Sequence, residues 1–461
     1  MAIRRTFGYD EKTLSALWKS SIENTYKPLL KDTAQVPIGI KVVDDKNGGK
    51  MNVAPAISPN GKYIVYLSER ELFSIDLYLA DAKTGKIIRK LTSKIKNNHI
   101  DEFNFIESAG AWSPDSKQFA FSVFSEGRNK LIIVNISNGK TLKEIAMGDV
   151  EQFGNLTWSP NGDDIAFSGL KHGQSDLFAY NLKSKQLKQL TDDKFTDYQP
   201  NYSLDGQRIV FSTDRVDFDA DASANISMNM AILNLDYNTI KNIDVFPKAN
   251  NLNPVFANND SYIYFLSNKD GFRNLYRIIV NTGFVEQLTN YFTGISGITE
   301  NAPALSISTT DDVVYSYYRA QKYTLYNAKS TDFKGVPVDK KVDFTAAMLP
   351  PLKSVGVNIV NKNIENFLAY YDLPAEFVKP IPYRSQFQLD YLASNGVGAG
   401  VSRFGAGLQS GVQAQFSDIL SRNQIFAAAS VNGEIYDFGA QVAYINQQSR
   451  WSYGASVSHI P

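Results

Sequence analysis

The sequence predicts an all-β fold: a six-bladed β-propeller over residues 36–333, with a short N-terminal helix before it and a C-terminal antiparallel β-sheet, a partial β-barrel, after it. Three observations predict the propeller. One kind of turn recurs six times, starting at residues 58, 113, 159, 203, 257 and 308. Each turn opens directly into a β-branched and aromatic run of strand length. The spacing between turns, 44 to 55 residues, suits a four-stranded blade. A stacked β-solenoid would use shorter repeats.

The turns read Ser58-Pro59-Asn60-Gly61, Ser113-Pro114-Asp115-Ser116, Ser159-Pro160-Asn161-Gly162, Ser203-Leu204-Asp205-Gly206, Ala257-Asn258-Asn259-Asp260 and Ser308-Thr309-Thr310-Asp311. Proline pre-sets φ, Asn or Asp tolerates the next position, and Gly supplies positive φ. The strands that follow include Tyr63-Ile64-Val65-Tyr66, Ile165-Ala166-Phe167 and Ile263-Tyr264-Phe265. A third strand recurs, as in Asp76-Leu77-Tyr78 and Asp176-Leu177-Phe178, and a fourth as in Lys188-Gln189-Leu190-Thr191. Repeat six has no clear fourth strand after Tyr326. Residues 38–45, just ahead of repeat one, resemble 188–193 and are expected to complete it. Joining the first and last blades removes an exposed sheet edge.

Trp112-Ser113-Pro114-Asp115 and Trp158-Ser159-Pro160-Asn161-Gly162 closely match the Trp-Ser-Pro-Asp-Gly turn of the TolB-type propeller repeat. The central region therefore resembles that family, whose repeat is a relative of the WD repeat without its Trp-Asp dipeptide. Repeats five and six lack the Pro and Gly, so they rest on strands and spacing. The resemblance speaks for fold more than function. It implies a periplasmic protein with a part in envelope integrity or translocation.

Residues 10–30 read as one helix, with Asp10 as N-cap and Leu14, Leu17, Trp18, Ser21 and Ile22 near one face. Together with the flanking residues, segment 1–35 resembles the tail of a gluzincin-like peptidase domain, which precedes this propeller type in some large outer-membrane proteins. No His-Glu-x-x-His motif is present, so no such protease can operate in this chain. Residues 334–384 carry six prolines and an expected short helix at 364–371, and read as a linker running along the propeller.

From Ser385 the period is two, with Gly and Ala interleaved. Six strands are expected: Gln386–Ala393, Val397–Arg403, Gly407–Phe416, Gln424–Val431, Phe438–Asn446 and Trp451–His459. The alternation of small with polar and aromatic residues resembles the first strands of a BamA-like outer-membrane β-barrel. A spanning barrel needs about eight strands or more. Segment 385–461 is thus expected to be part of a barrel, and the chain a piece of a longer envelope protein. The plainer reading is a soluble sheet packed on the propeller.

Composition excludes several classes. Lys+Arg and Asp+Glu both number 47, so no global field attracts nucleic acid. Cysteine is absent, which excludes thiol nucleophiles, Cys-ligated zinc and disulfides and suits an oxidising periplasm. No apolar run is long enough for a transmembrane helix, and the first ten residues carry no signal-peptide core. The missing signal is discounted, because Met1 reads as lying inside a domain.

Candidate chemistry is sparse. His99, His172 and His459 have no nucleophile or carboxylate at a diagnostic spacing. Gly407-Leu408-Gln409-Ser410-Gly411 lies in a strand pattern with no helix after it, unlike a hydrolase nucleophile elbow. The acidic loop 214–221 has Ala222 and Met228 where a calcium loop needs Gly and Glu, and reads as a solvated hairpin insertion. Lys94–Asn98 is a short surface charge run. No cofactor or metal is expected.

One pattern points to binding. Inner strands are expected to begin after Pro55, Pro200, Pro254 and Pro303. The loops that lead into them ring one mouth of a propeller's channel, where polar and aromatic groups suit peptide or protein recognition. The candidates are Asp192, Asp193, Phe195, Asp197 and Tyr198 in one loop and Asn290 and Tyr291 in another. Ordinary blade connectors would look similar. The expected function is a non-enzymatic interaction module in the periplasm. It would bind protein or peptide partners and reach the outer membrane through the C-terminal strands. The alternatives are an accessory propeller of a peptidase whose catalytic domain is absent from this chain, and a secreted binder.

Overall fold

The computed structural model describes residues 4, 8–29, 36–71, 75–92, 102–103, 110–125, 127–215, 227–257, 259–348, 362, 364–365, 382–402, 405–433 and 438–459. The chain divides into two units, Met1–Pro350 and Pro351–Pro461. Among the described residues, the first unit holds six antiparallel sheets. Sheet one is Asn52–Ile57, Tyr63–Ser68, Asp76–Asp81 and Ile87–Thr92. Sheet two is built on Gln118–Ser125, Arg128–Asn135 and Thr141–Ala146, with the short Glu102–Phe103 and Ala111–Trp112 on its inner side. Sheet three is Gln152–Trp158, Asp164–Lys171, Gln174–Asn181 and Leu187–Gln189. Sheet four is Asp197–Tyr202, Arg208–Thr213, Asn229–Asn234 and Thr239–Ile243. Sheet five is Asn251–Ala257, Tyr262–Ser267, Asn274–Ile279 and Phe284–Gln287, with Val336–Pro337 paired outside it. Sheet six is Leu305–Ile307, Asp312–Arg319 and Lys322–Lys329, completed by Ile40–Val43.

The recurring turn explains why each sheet begins as it does. The Ser58 hydroxyl donates to Asn60 Oδ1 (2.8 Å) and accepts the Tyr63 N–H (2.9 Å), pinning the turn to the second strand. Ser113, Ser159 and Ser203 do the same for Gln118, Asp164 and Arg208 at 2.9 Å each. Where repeats five and six lack Gly, Asn259, Asp260 and Asp311 take positive φ themselves, which Asn and Asp tolerate best.

Hydrophobic cores lie between consecutive sheets. One packs Leu77 and Leu79 of sheet one against Phe119 and Phe121 of sheet two. Others join sheets two and three, three and four, four and five, and five and six. The last joins six back to one, packing Val43, Val314 and Leu325 against Ile64 and Tyr78. The sheets therefore form a ring.

The strand ahead of repeat one closes that ring. Ile40 pairs with Asn327, Lys41 with Tyr326 and Val43 with Leu325. Tyr291 and Tyr315 guide the entry: the Ile38 N–H donates to Tyr291 Oη (2.7 Å) and Tyr315 Oη donates to the Ile38 carbonyl (2.6 Å). Gly39 sits between at φ +98°, and a Cβ there would collide with the Asn327 carbonyl oxygen.

At the N-terminus, helix α1 spans Glu11–Tyr26, and Asp10 accepts the Thr13 N–H at 2.8 Å. Leu17, Trp18 and Ile22 on its apolar side are exposed. Part of the expected linker belongs to the first unit. Val336–Pro337 pairs with the outer strand of sheet five, and Val338, Val342 and Phe344 pack on the core between sheets four and five. The helix expected at 364–371 lies almost wholly outside the described residues, as do His99, Lys94–Asn98 and most of the acidic loop 214–221. His172 sits in a hairpin turn at φ +53°.

The second unit is a five-stranded antiparallel meander: Gln388–Ser402, Gly405–Ser417, Asn423–Gly433, Phe438–Asn446 and Tyr453–His459. Five strands replace the expected six. Asn395-Gly396, read as a break, is a register shift between Ser394 and Val397 within one strand, a common use of Gly in a sheet. The sheet has two unlike faces. Leu392, Ala414, Ala427, Val442 and Val457 line up across it on one face. Ala393, Gln413, Ala428, Gln441 and Ser458 line up on the other. Among the described residues, no helix is long and apolar enough to cross a membrane.

Gly39→Ala places a side chain against the backbone it must pair with, at a φ that L-residues disfavour. We expect destabilisation of roughly 2 kcal/mol or more, seen as a lower urea midpoint than wild type. An unchanged midpoint would show that closure does not limit stability.

Candidate functional site

The inner strands of the six sheets converge on one channel. Ala54 and Pro55, Gly110, Asn155, Gln199 and Pro200, Asn253 and Pro254, and Pro303 line it. Pro55, Pro200 and Pro254 lie within these strands, not ahead of them as expected from sequence, whereas Pro303 does precede its strand, Leu305–Ile307. Four of the inner strands carry a bulge: the register shifts between Val53 and Ala56, Gly154 and Thr157, Tyr198 and Asn201, and Leu252 and Val255. The bulged residues Ala54, Asn155, Gln199 and Asn253 adopt φ of +50° to +56°. An inner strand is a sheet edge, and proline removes an N–H that would otherwise stand unpaired there.

The bulge amides bridge neighbouring sheets. Gln199 Oε1 accepts the Asn253 N–H (2.7 Å) and the Ser212 hydroxyl (3.0 Å), while its Nε2 donates to the Asn301 carbonyl (2.6 Å). Asn253 Oδ1 in turn accepts the N–H groups of Ala304 (2.8 Å) and Leu305 (3.1 Å). Further round, the Phe256 N–H donates to Asn201 Oδ1 (2.9 Å), and the Ile57 N–H to Ser306 Oγ (3.0 Å). Asn155 holds the equivalent place in sheet three, but its Oδ1 is buried without a partner. The opposite end of the channel widens into a funnel lined by both aromatic and polar groups, among them Trp112, Trp158, Phe256, Asn201, Ser203 and Thr309.

The sequence candidates divide into two groups. Asp197 is buried in an ion pair with Arg215 and also accepts the Thr213 hydroxyl (2.7 Å). Tyr291 is buried in ring closure. These two are committed to internal bonds, which a position in a connecting loop did not reveal. Asp193 pairs with Arg215 at 2.5 Å, and the Arg215 guanidinium stacks 5.3 Å from the Phe195 ring centroid. Asp192 and Asn290 are exposed. Tyr198 alone of the candidates borders the channel lining, beside Gln199, and donates to Asn301 Oδ1 at 3.2 Å. Sequence reasoning missed Gln199, Asn253, Asn301 and Arg273. For the first two, their place just before a repeated proline was the available signal.

The loop's acidic surroundings act on Asp176. Burial, and then the charges of Asp197, Asp193 and Asp192, push its pKa up to about 6. Thr191 Oγ1 donates to it at 3.3 Å, which partly opposes the shift. Sheet five has Asn274 at the same place, accepting from Thr289 at 2.9 Å.

The family profile described as TolB beta propeller domain matches residues 109–217. The chain contains a TolB-like β-propeller domain. The Tol-Pal system protein TolB of Francisella tularensis subsp. mediasiatica is 29% identical over 224 residues, 48% of this chain and 47% of that protein. The chain thus spans about half the length of the curated relatives it matches. An uncharacterized peptidase of Bacillus subtilis, YuxL, is 24% identical over 178 residues, 38% of this chain and 24% of that protein. Among solved structures, a putative TolB from Agrobacterium tumefaciens aligns with a TM-score of 0.44 at 19% identity, covering 63% of this chain and 92% of that one.

Two stability outcomes follow. Because folding raises the Asp176 pKa, the folded state holds its proton more tightly than the unfolded chain does. The charged form therefore lowers stability above pH 6, and that loss is relieved as pH falls towards 4. Asp176→Asn is expected to stabilise the protein at pH 7–8 by about 1 kcal/mol, after allowance for solvent screening, and to do nothing at pH 4. Thermal melts across that range test it; an equal effect at both pH values would refute the charge argument. Arg215→Met leaves Asp197 buried without its counter-charge and should destabilise by about 3 kcal/mol in urea titrations at pH 7.

Proposed function

We propose that this chain is a non-enzymatic interaction module of the bacterial envelope. Its six sheets are the six blades of a TolB-like propeller that binds protein or peptide partners in the periplasm. The observation that carries the reading is the channel: all six sheets line it, sheets three to six supply its polar side chains, and side-chain bridges tie sheets four, five, six and one together. A rigid ring with polar groups converging at one mouth suits recognition of an extended segment of a partner. Similarity to TolB proteins named for the Tol-Pal system supports protein partners in the envelope.

The C-terminal sheet is proposed as part of an outer-membrane β-barrel. Its apolar row includes Val442 and Val457, which are 53% and 79% exposed in this unit, while Gln413, Gln441 and Ser458 share the opposite face. That is the apolar-out, polar-in division of a membrane strand. A second reading, an accessory propeller of a peptidase, draws on the similarity to YuxL.

Photo-crosslinking tests the interaction reading. A benzophenone amino acid at Asn301, on the channel mouth, should yield adducts with envelope proteins in cells, and one at Leu187, on an outer strand, should not. Equal or absent adducts at both positions would count against the mouth. Flotation with phospholipid vesicles tests the barrel. Val442→Asp should lose vesicle association at least tenfold relative to Gln441→Asp. Equal flotation of the two would reject the lipid-facing assignment.

A further inference from the structure

We propose that Arg273 anchors a carboxylate of the peptide bound at the channel mouth, an inference that rests on the interaction-module reading and names the chemistry its partner carries.

Arg273 immediately precedes the third strand of sheet five, Asn274–Ile279. Its Nη1 and Nη2 both donate to a single acceptor, the Ala302 carbonyl oxygen, at 3.2 Å. Its Nε is buried with no acceptor. A guanidinium has five N–H donors in a planar fork, so one shared carbonyl leaves most of its capacity unused. Among the described residues, no carboxylate lies within ion-pair distance of it. Glu300, whose charge acts on it, is engaged elsewhere and accepts from Asn250 (2.8 Å) and Asn268 (3.0 Å).

The other arginines of sheets four and five are opposed by acids. Arg215 meets Asp193 and Asp197, Arg208 meets Asp205 at 3.0 Å, and Arg277 meets Glu286 at 2.6 Å. Arg273 differs in location as well as in partners. Its acceptor Ala302 lies between Asn301, which is bonded to Tyr198 and Gln199, and Pro303, which lines the channel. The unopposed guanidinium is therefore joined to the same short segment that shapes the mouth. Burial without a counter-charge pushes its pKa down to about 10, and Glu300 offsets only part of that.

A carboxylate is the group that matches this vacancy in hydrogen bonding and charge. Its two oxygens accept two parallel N–H bonds from a guanidinium, and the pairing gains strength where water is scarce. The carboxylate has two sources in a peptide, an Asp or Glu side chain or the C-terminus.

Three synthetic decamer libraries panned against the immobilised full chain separate them. One is amidated and contains Asp and Glu. One has a free C-terminus and lacks Asp and Glu. One is amidated and lacks both acids. Binders are expected from the first or the second library and not from the third. The first would identify a side-chain carboxylate and the second a terminal one. Their affinity should fall at least tenfold in Arg273→Met and by less in Arg273→Lys, which keeps the charge but loses the fork. Thermal melts confirm that each variant folds; should Arg273→Met not fold, the Arg273→Lys loss alone decides. Binders from the neutral library that weaken with Asn301→Ala but not with either Arg273 variant would overturn this inference and leave the mouth in place. Failure of all three libraries to yield a binder would overturn both.

Discussion

Ile40–Val43 and Lys322–Lys329 lie at opposite ends of the repeat region, yet they pair as neighbouring strands of one sheet. The ring depends on that pairing. Without it, Lys322–Lys329 would present an unpaired edge, and the core between sheets six and one would lose Val42 and Val43. Closing so long a loop is entropically unfavourable, though the penalty grows only slowly with length. Buried apolar contacts offset it, together with the two tyrosine bonds at Ile38 and the Asn327 amide on the Ala82 carbonyl (2.8 Å).

Closure also reaches the channel. Tyr291 and Tyr315, which grip Ile38, sit in the same core as Ala304 and Leu305. The N–H groups of Ala304 and Leu305 are the donors that Asn253 accepts, and the Asn253 N–H is the donor that Gln199 accepts. A side-chain network therefore runs from the closing strand through sheets six and five to the inner edge of sheet four. Each such bond adds about 1 kcal/mol net, but stranding a buried partner costs more. That asymmetry holds the mouth to one geometry, so a ligand of the kind proposed would meet preorganised groups.

What the sequence made legible was local. Pro and Gly in the turns, β-branched runs after them and the repeated spacing depend only on near neighbours, and these located the strands. The closing strand was legible because its residues resemble 188–193. What stayed hidden depends on distant partners. Asp197 looks like a loop acid until Arg215 folds over it, and Tyr291 looks like a mouth aromatic until Ile38 arrives from the far end of the repeats. The bulge residues carry no signature of their own, since Ala54 and Gln199 are ordinary strand or loop residues. Only the ring forces them into positive φ. Arg273 has no motif, and the nearby Asp270 in sequence gives no sign that the two do not pair, so its isolation is visible only in three dimensions.

The C-terminal sheet poses a different physical problem. Its first and last strands, Gln388–Ser402 and Tyr453–His459, each have one unpaired edge among the described residues. An apolar face and two open edges together are a poor arrangement in water, where natural sheets blunt or cover such features. The propeller unit meets the same difficulty by closing on itself and by laying Val336–Pro337 along sheet five. Among the described residues, the C-terminal strands show no such cover. Under the proposed barrel reading, lipid on the apolar face and further strands at the edges would satisfy both demands at once.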